Sequence, residues 1–176
     1  MGLTTSVSGN HSFRAGSWMW ITPSGVPRYR MQPADLVRVD LKTGKTTGRS
    51  RPSIELGMHR CIYTLRPDIN AIVHTHSPFT IGVSISGKFR HVIEEAKIVA
   101  GYPAVIANKP SGSTGLARAV SGEFKKGTRA VVIKNHGVVA GGEDIDHARA
   151  IVESLEEWAK ILTVAQVFGG ASDWLD

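Results

Sequence analysis

The four residues Ala130-Val131-Val132-Ile133 constrain the fold most. The run is apolar without alternation, so it reads as a buried central strand. A second apolar run, residues 71–75, is another strand, and it ends in His74-Thr75-His76. From about residue 145 to 168, Ala148, Ile151, Val152, Leu155, Ala159, Leu162 and Ala165 recur at helical spacing and give one long amphipathic helix. Around these elements, residues 12–21 read as a hairpin turning at 15–17, followed by a turn at 22–25. Residues 36–40 alternate like a half-buried strand, and 42–45 turn the chain back. Pro52-Ser53 opens a helix with Ser53 as its N-cap and Ile54, Met58, Cys61, Ile62 and Leu65 as its apolar stripe. Arg66-Pro67-Asp68 stops it. A short helix over 78–86, a short strand over 105–107, a helix from Ser113 or Thr114 to just before Gly127, and a further strand over 138–140 complete a mixed α/β chain. No internal repeat, linker or low-complexity segment interrupts it.

Length and composition bound the possibilities. With 176 residues, 41 % of them apolar, the chain is expected to be a single domain, 1–176, with one sizeable core. No apolar run reaches the ~18 residues a membrane span needs. Residues 1–10 lack the basic and apolar regions of a signal peptide. The lone cysteine, Cys61, excludes an internal disulfide framework and a multi-cysteine metal site, and it suits a cytoplasmic setting. The net charge of +6 sits in small clusters such as Arg28/Arg30, Arg49/Arg51 and Lys125/Lys126, with no interleaved aromatic residues for base stacking. We therefore read no nucleic-acid partner, a mostly solvated basic surface, and an attraction for small anionic substrates. The chain carries no G-x-x-x-x-G-K-[ST] phosphate loop, no G-x-G-x-x-G after a strand and no G-x-S-x-G elbow.

The chemistry gathers on histidines. Side chains two apart on a strand face the same way, so His74 and His76 can converge on one ion at about 2 Å from each. Asn135-His136-Gly137 follows the buried strand 130–134, a place where functional side chains are often presented. Two strand ends that meet in space would give three histidines, the ligand count of a catalytic zinc centre with an open position. Glu55 sits in the first turn of its helix, where a carboxylate is electrostatically comfortable. His59 lies one turn on as a helix-surface neighbour. His11, His91 and His147 have no partner spacing and read as surface or locally bonded residues.

Taken together, Ser8-Gly9-Asn10, Ile21-Thr22-Pro23-Ser24-Gly25, Pro52-Ser53-Ile54-Glu55, His59, Arg66-Pro67-Asp68, the segment 71–78 and Asn135-His136-Gly137-Val138 resemble the class II aldolase/adducin family, in the family's order and over most of the chain. The resemblance implies a three-layer α/β/α fold around a mostly antiparallel sheet; in a departure from the family, the N-terminal helix that members usually carry is expected to be short or absent here. It implies a zinc ion (manganese or cobalt being alternatives) held by His74, His76 and His136, with Glu55 able to touch the metal and acting as general base and acid. It implies that Gly9, Asn10, Ser24, Gly25 and Ser53 cradle a substrate phosphate, and that the protein is a homotetramer with sites between subunits. The expected reaction is cleavage of a sugar phosphate such as L-fuculose 1-phosphate to dihydroxyacetone phosphate and an aldehyde, through a metal-stabilised enediolate. Relatives on the same scaffold include pentulose-phosphate 4-epimerases, a methylthioribulose-phosphate dehydratase and decarboxylases. A non-catalytic, adducin-like binding domain is the reading from a different class. Two further departures stand out. Ile54 replaces a serine and removes a hydroxyl from the cradle. No aldehyde-side tyrosine is evident, residues 93–96 falling near its place with Tyr102 a few residues on.

Overall fold

The computed structural model describes residues 2–87, 89–90 and 93–170. Residues 2–9 lead without a helix into β1 (Asn10–Ala15), which turns back as β2 (Trp18–Ile21). Then come β3 (Val37–Asp40), β4 (Thr46–Thr47), α1 (Leu56–Leu65), β5 (Ala71–Thr75), α2 (Pro78–Ile85), α3 (Glu94–Ala100), β6 (Ala104–Ile106), α4 (Thr114–Lys125), β7 (Ala130–Ile133), β8 (Gly137–Gly142) and α5 (Ile145–Val167). The strands form one sheet in the order β4-β3-β2-β1-β5-β8-β7-β6. Every pairing is antiparallel except β6 with β7.

The apolar strands feed two cores at once. On one face Ile72, Val131, Ile133 and Val139 pack with Met58 and Ile62 of α1 and Leu116, Val120 and Phe124 of α4. On the other, Ala71, Val73, Val132, Val138 and Ala140 pack with Val83 of α2, Ala96 and Ala100 of α3, and Ile151, Leu155 and Trp158 of α5. Side chains alternate across a strand, so a strand lying between two helical layers must be apolar at every position. This is the three-layer α/β/α arrangement with a mostly antiparallel sheet.

Two local expectations need correction, and one helix went unread. The first long helix begins at Leu56 with Glu55 in the N-cap position, and the Ser53 hydroxyl instead accepts the Glu55 N–H at 3.2 Å. Its buried stripe is Met58, His59, Ile62 and Tyr63, whereas Ile54 is 65 % exposed. Ile54 sits in the turn between the Pro23–Pro52 bridge and the helix, at the rim of the site cavity and beside the loop that enters α4. The seven-residue α3 lacks a readable stripe because only Ala96 and Ala100 are buried.

Two glycines permit the close approach of β5, β1 and β8. A Cβ on Gly137 would fall 2.1 Å from the Thr75 carbonyl oxygen, and one on Gly9, which has φ +71°, 2.4 Å from that of His74. We expect Gly137→Ala to lower stability by about 3 kcal/mol, because the clash is with backbone and cannot be relieved by a rotamer. A denaturant midpoint within error of wild type would contradict this.

Candidate active site

β5 and β8 are paired with His74 opposite Val139 and Thr75 opposite Val138. That register brings the end of β5 beside the turn entering β8, and with it His136. Asn135, before it, has φ 60°, the one non-glycine residue in the left-handed region among those described. Asparagine tolerates that conformation, so the turn can aim His136 back at β5. His76 lies one residue past the strand. There α2 begins, and the buried Glu156 of α5 fixes its start by accepting the N–H groups of Phe79 at 3.1 Å and Thr80 at 2.9 Å and the Thr80 hydroxyl at 2.8 Å.

The three imidazoles meet edge to face, with centroids 5.0–5.1 Å apart. One ring nitrogen from each lies within 4.8 Å of the others. Glu55 reaches the cluster from the start of α1, with Oε2 3.1 Å from His74 Nε2 and Oε1 3.5 Å from His136 Nε2. The His74 Nδ1–H donates to the Val138 carbonyl at 2.8 Å. In the neutral ring this turns the Nε2 lone pair toward a carboxylate oxygen, which also has only lone pairs to offer. Glu55 Oε1, His74 Nε2 and His136 Nδ1 are buried without hydrogen-bond partners. A cation resolves that opposition, and the donor set of imidazole nitrogens plus one carboxylate oxygen suits a divalent transition ion such as zinc. The residues present therefore fit a metal. Burial, and then the charges of neighbouring histidines, hold His76 down to about 4 and depress His136, so both rings are in the neutral form that ligates. Burial pushes the Glu55 carboxyl up, but positive charge at the His74 and His136 positions, which a bound cation would equally supply, and the donating Asn10 amide outweigh it and hold the group at about 2.

Behind Glu55 runs a buried chain of hydrogen bonds. Asn10 Nδ2 donates to Glu55 Oε2 at 2.9 Å, and Asn10 Oδ1 lies 2.6 Å from His59 Nε2. His59 Nδ1 is 2.7 Å from Ser12 Oγ, which is 2.8 Å from the Tyr63 hydroxyl. Because the Asn10 amide donates to Glu55, its oxygen must accept from His59 Nε2–H. His59 Nδ1 must then accept from Ser12, and Ser12 from Tyr63. Every proton points toward Glu55, which fixes the carboxylate in place. His59 is thus not a helix-surface neighbour. It is fully buried because its partners stand on β1, beneath α1. Burial, with smaller effects of neighbouring charges, holds it down to about 3 and the half-buried His11 to about 4.

These two shifts give a pH dependence. The unfolded chain takes up both protons below about pH 6.5, while the folded chain does so only near pH 4 and 3. Stability is therefore full above pH 6.5 and is lost as pH falls below it, at about 1.4 kcal/mol per pH unit for His59. We expect the denaturant midpoint of chelator-treated protein to fall between pH 6.5 and 5, before most carboxylates titrate. A flat profile there would contradict the buried, neutral His59.

Gly9, Asn10, Ser24, Gly25, Ser53 and Glu55 line one cavity of about 170 Å³ together with His76 and His136. His74 stands behind it. The cradle segments are tied together by Ser24 N–H to Arg51 O at 2.9 Å and Ser53 N–H to Thr22 O at 3.2 Å. Asn10 spends its amide on Glu55 and His59. Two further residues of the cavity, Arg28 and Ser111, went unread in the sequence: Arg28 looked like surface charge, and Ser111 lies in a Pro-Ser-Gly-Ser loop with no local signal. Tyr102 is 60 % exposed and lines a different cavity with Lys126 and Arg129. His11 is not a plain surface residue, since its Nδ1 is buried without a partner. His147 is locally placed, 3.8 Å from Glu143, and His91 lies outside the described residues.

Known proteins share this sequence pattern and this fold. The profile described as Class II Aldolase and Adducin N-terminal domain matches residues 1–163. An L-fuculose phosphate aldolase of Methanococcus maripaludis is 36 % identical over 154 residues, covering 87 % of this chain and 83 % of its own. A 5-deoxy-D-ribulose 1-phosphate aldolase of Bacillus thuringiensis is 34 % identical over 162 residues, covering 91 % and 76 %. The crystal structure of an L-fuculose-1-phosphate aldolase from Thermus thermophilus matches with a TM-score of 0.86 at 28 % identity, covering 99 % of this chain and 91 % of that one. The chain belongs to the class II aldolase and adducin N-terminal domain family.

Proposed function

We propose that this protein is a divalent-metal aldolase, with zinc as the ion, that cleaves a ketose 1-phosphate to dihydroxyacetone phosphate and an aldehyde. The observation that carries the reading is the three-histidine cluster with the Glu55 carboxylate against His74 and His136, of which Glu55, His76 and His136 line one cavity. An adducin-like binding role would not need that constellation.

His74, His76 and His136 would hold the ion, which when bound supplies Lewis-acid polarisation of the substrate carbonyl. Glu55 shuttles one proton. It takes the proton from the C4 hydroxyl as the C3–C4 bond breaks, so that C4 leaves as an aldehyde, and it delivers the same proton to C3. Its low pKa keeps it unprotonated at neutral pH, as the first half of that shuttle requires. The hydrogen-bond chain from Tyr63 to Asn10 holds its other edge. Ser24, Ser53 and the glycine segments 9 and 25 face the phosphate. We further propose the homotetramer that the family resemblance implies.

The named relatives favour two substrates, L-fuculose 1-phosphate and 5-deoxy-D-ribulose 1-phosphate. Both share the phosphorylated three-carbon half and differ in the aldehyde released. An enzyme-coupled assay for dihydroxyacetone phosphate with each substrate tests the reading. Release from at least one supports it, and release from neither, with metal supplied, sinks it.

A further inference from the structure

We infer that Arg28 is the positioning residue that turns one end of the cavity into an anion site: its guanidinium ties the segments 7–9 and 23–26 together and supplies the only fixed positive charge among the described lining residues. This rests on the ketose 1-phosphate reading and adds to it the residue that makes the phosphate end selective.

Four carbonyl oxygens converge on the side chain. One terminal nitrogen donates to Pro23 O at 3.5 Å and Val26 O at 3.2 Å, and the other to Val7 O at 3.5 Å and to Gly9 O. The backbone N–H of Arg28 adds a bond to Ser6 O at 2.8 Å. One residue therefore sets the spacing of the two segments that flank the β1–β2 hairpin. Carbonyls engaged by the guanidinium are also neutralised as repulsive dipoles toward an incoming anion.

The charge itself has no acidic counter-ion. Among the described residues no carboxylate lies within ion-pair distance of Arg28, and its buried Nε has no acceptor. Burial lowers its pKa, which reflects the cost of holding a guanidinium there without an anion. The cavity's side-chain hydroxyls, on Ser8, Ser24, Ser53 and Ser111, are neutral, and its one anion, Glu55, would oppose a phosphate dianion. Ile54 offers no donor at all. A phosphate entering this end would supply the missing counter-charge, and the held cation would offset Glu55.

The test compares wild type, Arg28→Gln and Arg28→Lys for inorganic phosphate affinity, steady-state kinetics, metal content and melting temperature. For Arg28→Gln we expect inorganic phosphate to bind at least about ten-fold more weakly. The loss on the ketose 1-phosphate should be carried by KM rather than kcat, with metal content retained. Arg28→Lys, which keeps the charge but not the planar fork, should recover part of the phosphate affinity. Phosphate affinity unchanged in Arg28→Gln, while wild type releases dihydroxyacetone phosphate, would overturn this inference alone. So would a joint fall of kcat, metal content and melting temperature in both variants, which marks a purely structural strap. Wild type that neither binds inorganic phosphate nor releases dihydroxyacetone phosphate would overturn the ketose phosphate reading beneath it.

Discussion

Glu55→Gln is expected to bind its metal and to lose about a thousand-fold in kcat. The substitution keeps the shape of the side chain. Its amide oxygen can still accept from Asn10 Nδ2, so the buried chain through His59, Ser12 and Tyr63 survives. The three histidines are untouched and metal content should stay near that of wild type. What disappears is a group able to take and return a proton beside the reacting carbons. Elemental analysis and turnover measured on the same preparation separate the two effects. Full turnover in the variant would remove Glu55 from the chemistry. Loss of metal would make it a ligand the site cannot do without.

His76→Ala should lose metal and activity together. His76 stands past the end of β5 and outside both apolar clusters, so its truncation leaves the packing intact. Two histidines and a carboxylate remain, one imidazole short of the proposed ligand set. Removing even an outer-shell partner of a metal ligand costs 10- to 100-fold in affinity, so loss of a direct ligand should cost at least about 100-fold. The variant should keep its melting temperature in chelator and regain little activity on addition of zinc. A variant that retains metal and turnover would place the ion elsewhere.

How much of this was legible depends on whether the deciding contact was local. β5, β7 and α5 could be read because their patterns are set by neighbours in sequence: apolar runs between two layers, and a stripe every three or four residues. The His74/His76 pair was legible for the same reason. His136 joins them only through the β5–β8 register, a contact across more than sixty residues, and resemblance to a family supplied what spacing could not. His59 was misplaced because a polar residue on a helix reads as exposed until its partners on β1 are known. Periodicity held a clue, since His59 sits with Met58, Ile62 and Tyr63 on the buried face. Glu156 gave no such clue: a buried acid in α5 makes sense only once the start of α2 is docked against it. Arg28 likewise looked like solvated charge, because the carbonyls it gathers come from loops folded back onto it.

The metal content of protein purified without a histidine tag is the decisive measurement. Three converging imidazoles, with a carboxylate facing their lone pairs, predict about one divalent ion per chain, removed by chelation and absent from His76→Ala. Protein that carries no stoichiometric divalent metal, and takes none up when zinc, manganese or cobalt is supplied, would contradict the assignment of His74, His76 and His136 as a metal centre.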